Sequence, residues 1–247
     1  MTEFHFFPPH GPRAQDQPRP VAITRGYYSS APGSILYRSG NTVVLCTASI
    51  EPRVPPWLEG KGKGWVTAEY SMLPGSTPQR KNRDRSGKVD GRTTEIQRLI
   101  GRSLRAVVNL VALGEQMITV DCDVLQADGG TRTAAITGGW LALYDALQTL
   151  FPKLTIGPDS PLTDSVAAIS VGSVRGETWL DLDYPLDVAA DVDMNVVMTG
   201  KGRFVEIQGT GEEATFDDDD LATLLMLAKQ GIRALTAAQA ECITAAS

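Results

Sequence analysis

Two periodicities follow one another along this chain, in the same order twice, and that order limits the fold more than any single motif does. In the first half, Val21–Thr24, Gly33–Tyr37, Thr42–Ile50 and Trp65–Met72 are short, rich in β-branched residues and separated by turn signals such as Gly40-Asn41. They predict strands. Helical spacing then takes over. Ile96, Leu99, Ile100, Leu104, Val107 and Val111 form one apolar stripe, which predicts a helix over Arg92–Leu113 ended by Gly114. A strand over Met117–Leu125 and a helix over Thr133–Leu150 complete the half. The second half reads as strands near Ser165–Val174, Thr178–Asp183, Ala190–Thr199 and Phe204–Gln208, then a closing helix from Phe216-Asp217 past Cys242. Strands followed by helices, twice over, predict an α+β fold of two related halves.

Composition excludes several classes. No apolar run is long enough for a membrane span, and Met1–Pro20 is a Pro-rich arm without the apolar core of a signal peptide. The expected organisation is an arm over 1–20 and a single domain over 21–247. Cys46, Cys122 and Cys242 lack metal-site spacing and read as reduced packing cysteines of a cytoplasmic protein. The histidines, His5 and His10, both lie in the arm, which argues against histidine acid–base catalysis. The net charge of −6 is unevenly spread. Residues 52–105 carry +7 and residues 106–247 carry −14. Such a chain is a poor general binder of nucleic acid, yet its basic segment can steer a polyanion to one place. Within that segment, residues 73–91 are rich in Gly, Ser, Pro, Lys and Arg and predict a mobile loop that orders on binding.

Three segments can carry chemistry. Asp128-Gly129-Gly130-Thr131-Arg132-Thr133 lies between a strand and a helix. The glycines let the backbone approach a ligand, the helix start presents N–H groups, Thr131 adds a hydroxyl and Arg132 can grip two oxygens of a phosphate. The alternative is an ordinary helix start with Arg132 in a surface ion pair. Arg92 opens a second helix and can bind another phosphate oxygen, while Arg98, Arg102 and Arg105 form a ridge best read as a solvated face. The third segment is acidic: Asp181, Asp183, Asp187, Asp191 and Asp193. Crowded carboxylates call for a cation, and Mg²⁺ with its preference for oxygen ligands suits them. Asp217–Asp220 instead complement a helix start. An anion turn, a helix-start arginine and a carboxylate cluster are parts for metal-assisted phosphoryl transfer. A silent RNA-binding subunit and a two-metal hydrolytic nuclease are the alternatives.

The chain resembles the ribonuclease PH family. The resemblance rests on Arg25-Gly26-Tyr27, Gly62-Lys63-Gly64-Trp65-Val66-Thr67-Ala68-Glu69-Tyr70, Gly91-Arg92-Thr93 with Glu95-Ile96-Gln97-Arg98, Asp128–Thr133, and Ala190-Asp191-Val192-Asp193-Met194-Asn195. It implies a ribosomal protein S5 domain 2-like α+β fold that assembles as a homohexameric ring, a trimer of dimers. It also implies phosphorolytic 3′→5′ trimming of transfer RNA precursors and other RNA 3′ ends. Phosphate would be held by Arg92, Gly130, Thr131 and Arg132. Asp187 and Asp193 would be the catalytic residues and the ligands of Mg²⁺, with Mn²⁺ as the alternative. Arg80, Arg83 and Arg85 would help to hold RNA.

Overall fold

The computed structural model describes residues 13–83, 90–212 and 214–245. His5, His10 and Arg85 lie outside them. The first sheet contains β1 (Val21–Arg25), β2 (Gly33–Ser39), β3 (Thr42–Glu51), β4 (Trp65–Met72) and β5 (Met117–Gln126), in the order β1-β2-β3-β5-β4. Only β4 and β5 run parallel, so the chain must cross over between them. Helices α1 (Gly91–Arg105) and α2 (Leu110–Leu113) make that crossover. The second sheet contains β6 (Val166–Val174), β7 (Glu177–Leu180), β8 (Val192–Thr199) and β9 (Phe204–Gly211), in the order β7-β6-β8-β9, all antiparallel.

Between the sheets lies α3 (Thr131–Leu150), with fifteen of its twenty residues buried. A helix that is apolar on every side belongs in an interior. Its Gly138 abuts Tyr37 and Cys46 of the first sheet. On the other side, the Thr137 hydroxyl accepts from the Ala168 N–H of the second sheet at 3.1 Å. Alternation along β6 divides the apolar side chains. Val166 and Ala168 join the core around α3, whereas Ala167, Ile169 and Val171 join a second core. That second core is closed by α5 (Asp218–Thr244) through Leu224, Ala228, Ile232 and Leu235. Asp217 caps α5 with a full capping box, as its acidic start predicts.

The single helix expected over Arg92–Leu113 is broken after Arg105. The backbone there is bonded elsewhere. The Val107 carbonyl accepts from Thr163 N–H at 2.8 Å, and Asn109 N–H donates to the Pro161 carbonyl at 2.9 Å. The Asn109 side chain then caps α2. Val111, placed on the apolar stripe by spacing, is 61% exposed as a result. Gly114 ends the second of these helices, with φ 71°.

Gly33, at the start of β2, touches α3 so closely that a Cβ there would lie 1.9 Å from the Ala142 carbonyl oxygen. Backbone cannot yield as a side chain can. Gly33→Ala should therefore lower stability by about 1–3 kcal/mol, as overpacking does. Urea unfolding should show a lower midpoint with an unchanged slope.

Candidate active site

The turn Asp128-Gly129-Gly130 leads into α3. Gly129 and Gly130 both have positive φ, 73° and 65°. Space confirms the need for glycine. A Cβ on Gly129 would lie 2.5 Å from the Leu182 carbonyl oxygen, and one on Gly130 would lie 2.9 Å from Arg19 Nη2. The Thr42 hydroxyl donates to the Gly129 carbonyl at 2.6 Å and accepts from Asp128 N–H at 3.0 Å. Among the described residues no side chain caps α3. Its first N–H groups are thus left for a ligand, at the end of the helix that favours negative charge. Thr131 is held in place by a 2.8 Å hydrogen bond between its hydroxyl and that of buried Tyr70. Burial pushes the Tyr70 phenol above its ordinary pKa, which keeps it neutral.

Arg132 projects from the first turn of α3. It donates to Gln208 Oε1 at 3.1 Å and lies 3.8 Å from a Glu95 carboxylate oxygen. Gln208 in turn donates to Glu95 and Glu206. The surface ion pair considered for Arg132 is therefore present but long, and the arginine still lines the cavity. Arg92 occupies the first turn of α1, after the cap Asp90. The Asp90 carboxyl is held down at about 2 by the Thr93 N–H and by Lys81.

The second sheet brings the carboxylates. Along β8, Asp193 and Asn195 share the face that looks towards α3, while Val192, Met194 and Val196 are buried. Asp187 comes from a short helix, α4 (Tyr184–Val188), which sequence reasoning missed. Asp183 caps it by accepting from Leu186 N–H at 3.1 Å, and Pro185 sits in its first turn. A cavity of about 560 Å³ brings together Arg92, Gly130, Thr131, Arg132, Asp187 and Asp193. Burial raises the Asp187 carboxyl, and Glu212 adds to the effect while Arg92 and Arg132 oppose it. Burial raises Asp193 as well, with the charge of Asp187 next and Arg132 opposing. The site sets two groups that resist ionisation beside cationic groups, an arrangement suited to phosphate and a divalent cation.

The acidic cluster is smaller than its spacing implied. Asp181 is buried against Arg19. Asp183 is a cap, and Asp191 accepts from Arg175 N–H at 2.8 Å. None of the three lines the cavity. Glu212 does, and so does Tyr184, which is 59% exposed at the cavity. Tyr184 has only its place inside the acidic run as a sequence signal and Glu212 has none, since a short helix and a strand end leave no periodicity. Arg80 and Arg83 are exposed and do not line the cavity, although Thr77 of the same loop does. In the ridge, Arg102 pairs with Glu206 at 2.9 Å and Arg105 stacks over Trp65 at 4.4 Å. Both serve the fold.

Comparison with known proteins gives a consistent result. Residues 17–147 match the model of the 3′ exoribonuclease family, domain 1, and residues 164–231 match that of domain 2. Ribonuclease PH of Rhodopirellula baltica is 69% identical over 231 residues, covering 92% of this chain and 94% of that protein. Ribonuclease PH of Bacillus subtilis is 56% identical over 236 residues, covering 95% and 96%. Among solved structures, an Archaeoglobus fulgidus exosome with RNA bound to the active site superposes with a TM-score of 0.76. Its identity is 21%, covering 91% of this chain and 89% of that one. Rice Rrp46 superposes with a TM-score of 0.74 at 18% identity, covering 92% and 96%.

The raised carboxyls have a consequence for stability. A group whose folded-state pKa lies above its unfolded value costs stability once pH exceeds the ordinary carboxylate range, and the cost grows until the folded pKa is passed. Asp193→Asn should therefore raise the unfolding temperature of the metal-free protein at neutral pH. The gain should vanish in acid, where the native Asp193 is protonated in both states. Thermal unfolding across pH checks both halves of this expectation.

Proposed function

Since the chain belongs to the ribonuclease PH family of 3′ exoribonucleases, we propose that its cavity carries out phosphorolysis with Arg92, Gly130, Thr131 and Arg132 as the phosphate cradle and Asp187 and Asp193 as the catalytic pair. The protein is a phosphate-dependent exoribonuclease that trims the 3′ ends of transfer RNA precursors. The observation that carries the site assignment is the convergence of an uncapped helix start and two arginines on one cavity with two carboxylates. A hydrolytic nuclease needs no second anion site for its nucleophile, because water carries no charge to be held.

Inorganic phosphate in the cradle is the nucleophile. Arg132 and Arg92 spread its charge and lower the repulsion against the RNA phosphodiester. The Gly130–Arg132 N–H groups and the Thr131 hydroxyl fix its orientation, so that one oxygen faces the phosphorus in line with the leaving 3′-oxygen. Attack releases the last nucleotide as a nucleoside diphosphate and leaves RNA one nucleotide shorter. The reverse reaction adds a nucleotide. Mg²⁺, or Mn²⁺, fits the remaining donors, since it takes oxygen ligands, needs one or two carboxylates and keeps waters. Asp187 and Asp193 would hold it, with the Asn195 side chain nearby on the same face. When bound, it supplies positive charge against the oxygens that gain charge in the reaction.

Arg80, Arg83 and Arg85 belong to this reading as contacts for RNA outside the cavity, supported by the exposure of the first two. So does a homohexamer, a trimer of dimers. Its support is family membership and the fold shared with proteins solved as an exosome and an exosome core. A cytoplasmic location accords with three unpaired cysteines. No helix among the described residues is long and apolar enough to cross a membrane.

Incubation of RNA with the protein and Mg²⁺, with and without phosphate, tests the reaction class. Nucleoside diphosphates should appear only when phosphate is present. Release of monophosphates without it would mean hydrolysis, and no release would mean a silent subunit. Arg132→Ala should slow diphosphate release by about 10²-fold or more, on the scale of a lost oxyanion donor. Wild-type turnover by that variant at low phosphate would remove Arg132 from the cradle.

A further inference from the structure

We propose that the buried ion pair Arg19–Asp181 is a positioning device for the phosphate site: one guanidinium holds the anion turn and the segment carrying Asp187 at a fixed separation. The inference rests on the cradle assigned above. It concerns two residues that line no part of the catalytic cavity.

Arg19 is 2% exposed and Asp181 5%. Arg19 Nε donates to Asp181 Oδ2 at 2.9 Å, Nη2 donates to Oδ1 at 2.7 Å, and the Arg19 backbone N–H donates to Oδ2 at 2.8 Å. Burial works to raise the Asp181 carboxyl, yet these bonds and the charge of Arg19 hold it below its ordinary pKa. A buried pair of this kind is seldom a net gain over apolar residues of the same size. Stability alone therefore does not explain its presence.

The backbone gives a second observation. Asp181 has φ 58°, and Arg175, in the β6–β7 turn, is the other non-glycine residue with positive φ among the described residues. Such a conformation is uncommon outside glycine and persists where the surroundings over-determine it. Here the fork of Arg19 does so from one side. From the other, Asp181 N–H donates to the Ser170 carbonyl at 2.7 Å, and Leu182 N–H donates to the Ser170 hydroxyl at 2.9 Å. Two residues further on, Asp183 caps the helix that carries Asp187.

The remaining donors of Arg19 reach the anion turn. Nη1 donates to the Asp128 carbonyl at 2.5 Å, and Nη2 lies 3.5 Å from the Gly129 carbonyl. In a trans peptide the C=O and the following N–H point in opposite directions. Fixing the Asp128 and Gly129 carbonyls on the Arg19 side therefore turns the Gly129 and Gly130 N–H groups away from it. Both glycines line the catalytic cavity. Arg19 thus sets both the direction of the turn's donors and their distance from the carboxylate-bearing segment. Lysine has the charge but no planar fork, so it cannot serve both sides at once.

The test uses the full-length protein and two variants. Arg19→Lys keeps the buried charge paired. The double variant Arg19→Met with Asp181→Asn removes both charges while retaining a residue that tolerates the left-handed backbone. In both, the KM for phosphate should rise about 10- to 100-fold while the KM for RNA stays within about twofold of wild type, the scale of a misplaced binding group. The increase in unfolding temperature caused by inorganic phosphate alone should shrink in parallel. A phosphate KM and a phosphate-induced shift equal to wild type in either variant would overturn the positioning role. So would equal rises in both KM values, which mark a general loss of structure. A wild-type protein stabilised by phosphate that nevertheless releases no diphosphate would sink the proposed reaction, and the phosphate-induced shifts of the variants would still decide the role of the pair.

Discussion

Burial of α3 on every side is the constraint on which the rest depends. The helix fills the space between two sheets through close contacts at Gly138 and through Thr137. It cannot rotate or slide without exposing one sheet or colliding with the other. Its start is therefore as fixed as its middle, although the start carries polar groups that face a cavity. That coupling turns ordinary packing into chemistry. The aim of Thr131 and Arg132 is set by apolar contacts along the rest of the same helix, and Asp193 is aimed by β8, a strand whose neighbouring residues are buried.

The fold was largely legible because periodicity records burial. β6 is buried along nearly its whole length, and its apolar run Val166–Ile169 shows it. Legibility failed where tertiary hydrogen bonds outcompeted local pattern. Val107 and Asn109 lie on a helical stripe, but their backbone groups are bonded to residues 161–163, and spacing carries no trace of that pairing. The candidate site divides along the same line. Gly129, Gly130 and Arg132 form a contiguous motif whose geometry follows from residue type. Asp181 and Asp187 are six residues apart in one acidic run, yet one is a buried partner of Arg19 and the other lines the cavity. Asp181 has a left-handed backbone and Asp187 lies on a short helix, and composition reveals neither.

Two opposed electrostatic demands meet in the cavity. The cradle attracts anions, while Asp187 and Asp193 repel them and are reluctant to ionise. Each demand is met in part by the protein itself: Gln208 and Glu95 occupy Arg132, and Arg92 moderates Asp187. The 3.8 Å separation of Arg132 from Glu95 is longer than a charge-assisted hydrogen bond. In the proposed site, phosphate and a cation would each lower the electrostatic cost of admitting the other.

The stitching of residues 107–109 to 161–163 reaches beyond the helix it interrupts. The connection between the first sheet and the second passes through this seam, which is tied by two backbone bonds and the Val108–Leu162 bridge. The joining strap is thereby sewn to the crossover of the first half, so it cannot swing away from the first sheet without breaking those bonds.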